Sequence, residues 1–153
     1  MKILVIGVLF PICSFQIVFA EEYLHDELLI VSNYPEKLNG PGLILNETFN
    51  EQSLRVFFHH FNDYKEPIDL VFMISNDDKE MVELEFIPGI GGPSTDVVYT
   101  GHKAISNFMQ QLPNQTKKIE LQKNESYLLF NLLMKPKHTT SGIIKLINNK
   151  QRN

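Results

Sequence analysis

Met81-Val82-Glu83-Leu84-Glu85-Phe86-Ile87 alternates apolar and acidic side chains, which is the period of a strand with one buried and one wet face. The same chemistry recurs outward from it. Ile68, Leu70, Phe72 and Ile74 share one face of Ile68–Ile74, and Ser75–Lys79 between the two runs has the composition of a hairpin turn. Leu54–Phe61 is rich in aromatic and β-branched residues and ends in turn residues over Asn62–Pro67. Further strands are expected at Tyr23–Val31, Leu43–Phe49, Lys117–Gln122, Tyr127–Met134 and Gly142–Ile147. The nearly continuous apolar run of Tyr127–Met134 predicts burial on both faces. Ser32–Gly42 reads as loop, and no internal repeat stands out. Turn signals every ~8–12 residues predict a mainly β protein, a single immunoglobulin-like β-sandwich of seven or eight strands.

One segment breaks the alternation. Pro88-Gly89-Ile90-Gly91-Gly92-Pro93-Ser94 reads as a loop that opens a helix, the one inserted α-helix near 96–112. Thr95 or Asp96 suits the N-cap, and Pro113 stops the helix. Ile105, Phe108, Met109 and Leu112 follow i, i+3, i+4, i+7 spacing and predict a stripe that caps the sandwich. Gly101 weakens a helix by ~1 kcal/mol, so it implies a close backbone contact or a bend.

The candidate binding residues gather here: Gly91, Gly92, Ser94, Asp96, Tyr99 and His102. Glycines ahead of a helix N-terminus can let N–H groups converge on an anion. No Gly-Lys-Ser/Thr follows them, so this is not a nucleotide-binding P-loop, and Asp96 would compete for the same N-terminus. Ser94 lacks the Gly-x-Ser-x-Gly elbow of a hydrolase nucleophile. The element Gly92-Pro93-Ser94-x-Asp96-x-x-Tyr99-x-Gly101-His102-x-Ala104, with Phe108 after it, resembles uncharacterised bacterial exported β-rich proteins. The likeness runs from Arg55–His60 to Ser141-Gly142-Ile143. It implies export and a β fold, and no activity.

The N-terminus points the same way. Lys2, the apolar run Ile3–Phe19 and Val18-Phe19-Ala20 have the three parts of a secretory signal, which predicts cleavage after residue 20. The expected division is a signal peptide at 1–20, a β-sandwich domain at 21–147 and a polar tail at 148–153. Cleavage removes the only cysteine, Cys13, so the mature chain would have no disulfide, thiolate nucleophile or cysteine-bound metal. Lys2 leaves as well, and 13 basic against 18 acidic residues give a net charge of −5. Scattered basic residues and negative charge argue against nucleic acid and anionic membrane surfaces as partners. The expectation is a periplasmic or extracellular module with no cofactor, no metal and no membrane insertion after cleavage. Its partner would be a protein or envelope component.

Other constellations have bland explanations. His59 and His60 are adjacent on a strand and point to opposite faces, so they do not share one metal ion, and one of them is expected beside the core. Glu83 and Glu85 share a face ~6–7 Å apart, but their alternation with core residues makes that face solvated. Asn46, Asn114 and Asn124 begin Asn-x-Ser/Thr triplets, which matter only where exported proteins are glycosylated. The leading reading is an exported, non-catalytic binding module; the alternative is a small-ligand receptor or enzyme centred on residues 89–102.

Overall fold

A computed structural model describes residues 2–6, 27–112 and 116–149 of the 153-residue chain. It is mainly β, with one helix and two sheets. The strands are β1 (Lys2–Ile6), β2 (Glu27–Ser32), β3 (Lys37–Leu38), β4 (Leu45–Thr48) and β5 (Ser53–Asn62). After these come β6 (Ile68–Ser75), β7 (Val82–Ser94), helix α1 (Val97–Gln111), β8 (Lys117–Leu121), β9 (Ser126–Met134) and β10 (Thr139–Asn148). One sheet has the order β4-β1-β6-β9; the other runs β2-β5-β10-β7-β8, with β3 also beside β5. β2 and β3 run parallel to β5, and the remaining pairs are antiparallel.

Period-2 patterning sets the core. Leu54, Val56 and Phe58 of β5 face inward with Leu70, Phe72 and Ile74 of β6 and Val82, Leu84 and Phe86 of β7. Ile144 and Leu146 of β10 complete that wall. Phe72 stacks on Phe130 (centroids 4.6 Å apart) and tilts against Phe58 (4.9 Å), closing a cluster of three rings in the offset and tilted contacts that aromatic quadrupoles prefer. A Cβ on Gly142 would lie 2.1 Å from the Phe58 ring, so β10 needs glycine where that ring crosses it.

A short repeat underlies the β5–β6 and β6–β7 turns, contrary to the expectation of none; each carries the chain from one sheet to the other, so Ser75–Lys79 is not the hairpin its composition suggested. Asn62-Asp63-x-Lys65-Glu66-x-Ile68-Asp69-Leu70-x-Phe72 recurs fourteen residues later as Asn76-Asp77-x-Lys79-Glu80-x-Val82-Glu83-Leu84-x-Phe86. The two asparagines are fully buried and do the same job. Asn62 Nδ2 donates to the carbonyls of Glu66 (3.0 Å) and Met134 (2.8 Å), while its Oδ1 accepts from Tyr64 N (2.9 Å). Asn76 Nδ2 donates to Glu80 (2.8 Å) and Leu121 (3.0 Å), and its Oδ1 accepts from Asp78 N (2.9 Å). Each amide closes its own turn and pins it to a distant strand. That is how a buried polar group escapes a desolvation penalty.

Further expectations change, and Ser32–Gly42, expected as loop, holds the short β3. Pro88–Ser94 is not a loop: β7 continues through it, paired with β10 from Leu84 to Ser94. Tyr127–Met134 is not buried on both faces, because β9 is a sheet edge and leaves Leu128 and Leu133 exposed. The strands number ten among the described residues, against seven or eight expected. The last strand runs on through Asn148, opposite Leu84, so the predicted tail begins later. Lys2–Ile6, inside the predicted signal, is a strand. The rest of that segment, with Cys13 and the cleavage site, lies outside the described residues, as do 150–153.

Candidate functional site

Helix α1 lies on the outer face of the six-stranded sheet, over β7 and β10. Along β7, Glu83 and Glu85 point outward into solvent, and Gly89 and Gly91 continue that face beneath the helix. A Cβ on Gly89 would sit 2.3 Å from Phe108 Cβ; one on Gly91 would sit 1.9 Å from the Thr100 carbonyl oxygen. Both glycines therefore exist to let the helix backbone settle onto the strand. Gly92, with φ of +91°, turns the strand end toward the helix, where few side chains are tolerated.

Ser94 and Asp96 build the helix start. Asp96 N donates to Ser94 Oγ (3.1 Å), and Asp96 Oδ1 accepts from Tyr99 N (2.9 Å) as the N-cap. Of the six candidate residues, then, Gly91, Gly92, Ser94 and Asp96 have structural work in this joint. Tyr99 and His102 do not: both are exposed on α1.

The helix is seated by Thr100, Ala104 and Phe108, not by the predicted stripe. Only Phe108 of that stripe is buried; Ile105 is 51% exposed, Met109 60% and Leu112 39%. Val98, 66% exposed, and His102 lie on the same face, giving 98-102-105-109-112, spaced alternately by four and three residues. Alternating 3–4 spacing is the seam by which one helix meets another. α1 thus carries two adjacent apolar faces and spends one on the sheet. Gly101, expected at a close contact or bend, has open space around it, with nothing within 4 Å of a built Cβ.

Beneath the first turn lies a hydrogen-bonded latch that sequence reasoning missed. His59 Nδ1 is 2.7 Å from Ser141 Oγ, and Ser141 Oγ is 3.1 Å from Thr100 Oγ1. Thr100 Oγ1 donates to the Val97 carbonyl (2.8 Å). Proton accounting assigns the chain: with the Thr100 proton committed, Ser141 donates to Thr100, and His59 must donate to Ser141. The serine proton points away from the imidazole, so His59 is no general base for Ser141. Ser141 is also fully buried, out of a substrate's reach. The trio ties helix to sheet. Its only sequence signal is the outward register of His59, opposite Ser141.

His60 faces inward, as expected of one histidine of the pair. Its Nδ1 donates to the Pro35 carbonyl (3.0 Å), and its Nε2 accepts from Ser32 Oγ (3.1 Å). Burial pulls its pKa down to about 4, against the opposing Pro35 bond and helped by the nearby His59. On the outer face, burial pushes the Glu27 carboxyl up, but Lys145, Ser53 and Arg55 outweigh it and hold it low. Arg55 (2.7 Å) and Lys145 (2.9 Å) flank that carboxylate. The Arg55 guanidinium also lies over the Phe108 ring, 5.8 Å from its centroid, and so braces α1. Lys118 and then Asn149 lower the pKa of Glu83, so the Glu83/Glu85 face is a solvated, cation-paired surface. Among the described residues no three His, Cys, Asp or Glu side chains gather as metal ligands, and no helix is long and apolar enough to cross a membrane.

No known protein family matches the chain, and searches of curated proteins and of solved structures find no match either.

Proposed function

We propose that the protein is an exported, non-catalytic β-sandwich module, periplasmic or extracellular, that acts by binding a protein partner at the envelope. The observation that carries this reading is the second apolar face of α1. Val98, Ile105, Met109 and Leu112 form one ridge, and Val98, Ile105 and Met109 each leave half or more of their surface in water. An exposed apolar patch of that kind marks an interaction surface. Its 3–4 spacing suits an amphipathic helix of the partner, laid along α1 as in helix-to-helix recognition. His102 sits within the ridge and Tyr99 beside it, so these two former ligand candidates become contacts of the same surface.

The alternative, a small-ligand receptor or enzyme at residues 89–102, draws less support. The close approach of α1 explains Gly89 and Gly91, and helix capping explains Ser94 and Asp96. A photo-reactive amino acid placed at position 105 of the secreted protein tests the reading. It should capture one discrete partner in the producing cells, whereas the same group at Lys103 on the polar face should not. Equal labelling from both positions would refute the proposal.

A further inference from the structure

The four-stranded sheet depends on an unusual member. β1 lies between β4 and β6, antiparallel to both, with Ile3 opposite Ile74, Val5 opposite Phe72, and Val5 also opposite Leu45. Among the described residues β4 has no other strand partner, although Leu45 and nearby Phe49 are anchored in the core. Cleavage after Ala20 would remove β1. One bank of the resulting gap is β4, and the other is the edge of β6 from Val71 to Ile74. Neighbouring strands stand ~4.8 Å apart, so the banks are roughly two spacings apart, room for one strand. The inner wall of the gap is formed by Phe72 and Ile74, both core residues. An open edge of that kind is a template for pairing with another chain.

The processed chain is too short at its N-terminus to fill the gap itself. Only residues 21–26 would precede β2, which begins at Glu27 in the other sheet. Five of those six residues would be needed in the gap. The one left spans at most ~3.6 Å, against ~10 Å between packed sheets.

We propose that the gap between β4 and β6 is a strand-acceptor slot, which in the processed protein takes an extended apolar segment of a partner protein. The inference rests on the reading that Met1–Ala20 is removed. The donor runs antiparallel to β6 and carries apolar side chains at the positions opposite Ile74 and Phe72. Backbone hydrogen bonds to both banks hold it, and those two side chains select it.

The test uses the secreted protein, with its N-terminal residue first established by mass spectrometry. The probe is a synthetic Lys-Ile-Leu-Val-Ile peptide with lysines added for solubility. Its control carries aspartate in place of the isoleucine and valine that stand opposite Ile74 and Phe72. With the chain starting at Glu21, a hundredfold excess over Kd should raise Tm by roughly 5–10 °C. It should also slow exchange at least tenfold at the alternate amides of Val71–Ser75 that face the slot and not β9, and the control should do neither. A processed chain that is unfolded alone should regain a cooperative melt with the probe only. Slot-facing amides already protected without the probe, together with an unmoved Tm in the processed protein, would overturn the slot. A chain that keeps Lys2–Ile6 would overturn it too, by showing instead that processing does not occur.

Discussion

Gly91→Ala should unseat α1, and Gly101→Ala should not. The new methyl at position 91 would be placed 1.9 Å from the Thr100 carbonyl oxygen and 2.7 Å from Ala104 N, both backbone atoms. Ordinary contact needs ~3.4 Å or more, so the helix must lift by ~1.5 Å. No rotamer change relieves this, because backbone cannot swing aside. Lifting loosens Phe108 and Ala104 against β7 and stretches the Thr100–Ser141 hydrogen bond. Overpacking alone costs about 1–3 kcal/mol, and a strained buried hydrogen bond adds about 1 kcal/mol. A loss of ~3–4 kcal/mol is expected, lowering Tm by roughly 10 °C or more. At Gly101 the same methyl meets nothing within 4 Å, in a helix where alanine is favoured. Gly101→Ala should therefore gain ~0.5–1 kcal/mol. Denaturant melts of the two variants decide the matter. If Gly91→Ala stays within 0.5 kcal/mol of the parent, the glycines are not packing glycines, and the 89–102 segment returns as a ligand site.

Three further outcomes follow from named groups. His60 is held neutral with a pKa near 4 against an unfolded value of 6.5, so the unfolded chain binds more protons across that window. Stability should fall by roughly 3 kcal/mol as pH drops from 6.5 to 4, and His60→Gln should flatten the slope above about pH 5.5, where the unfolded-state carboxyls of Glu27, Asp63 and Glu83 are still ionised. Asn76→Ala removes the amide's hydrogen bonds to three carbonyls and from the Asp78 N–H and should cost ~2–3 kcal/mol in a urea melt, with Asn62→Ala losing a similar amount and the pair close to additive. Ser141→Ala should lower stability by ~1–2 kcal/mol and leave partner capture at position 105 intact, since the latch holds the helix without forming its outer face.

The sheet was legible because it obeys a period. Val82-Glu83-Leu84-Glu85-Phe86 can bury only one face, and the structure buries that face. Asp96 was legible as an N-cap for a local reason: a carboxylate reaches the Tyr99 amide without help from the rest of the fold. Composition misled at Pro88–Ser94, because glycine and proline read as loop when no partner element is known. Here Gly89 and Gly91 are strand residues made small by Thr100, Ala104 and Phe108 of the helix that folds back over them. The α1 stripe misled for a related reason. Periodicity finds apolar faces but does not say which one meets the sheet, and Thr100-Ala104-Phe108 is the smaller, closer-packing set. The His59–Ser141–Thr100 latch joins residues 82 and 41 positions apart, a distance that no local pattern spans. The paired asparagine turns were within reach of the sequence alone, by sliding it fourteen residues along itself.

The most direct test of the binding role is the affinity of the captured partner for the secreted protein and for Ile105→Lys/Met109→Lys. Both side chains already face water, so the double variant should melt within about 0.5 kcal/mol of the parent. Two charges on the ridge should nonetheless weaken binding at least a hundredfold, while His102→Ala weakens it less than tenfold. Unchanged affinity in the lysine variant, or loss confined to His102→Ala, would contradict the account and move the site back to the start of the helix.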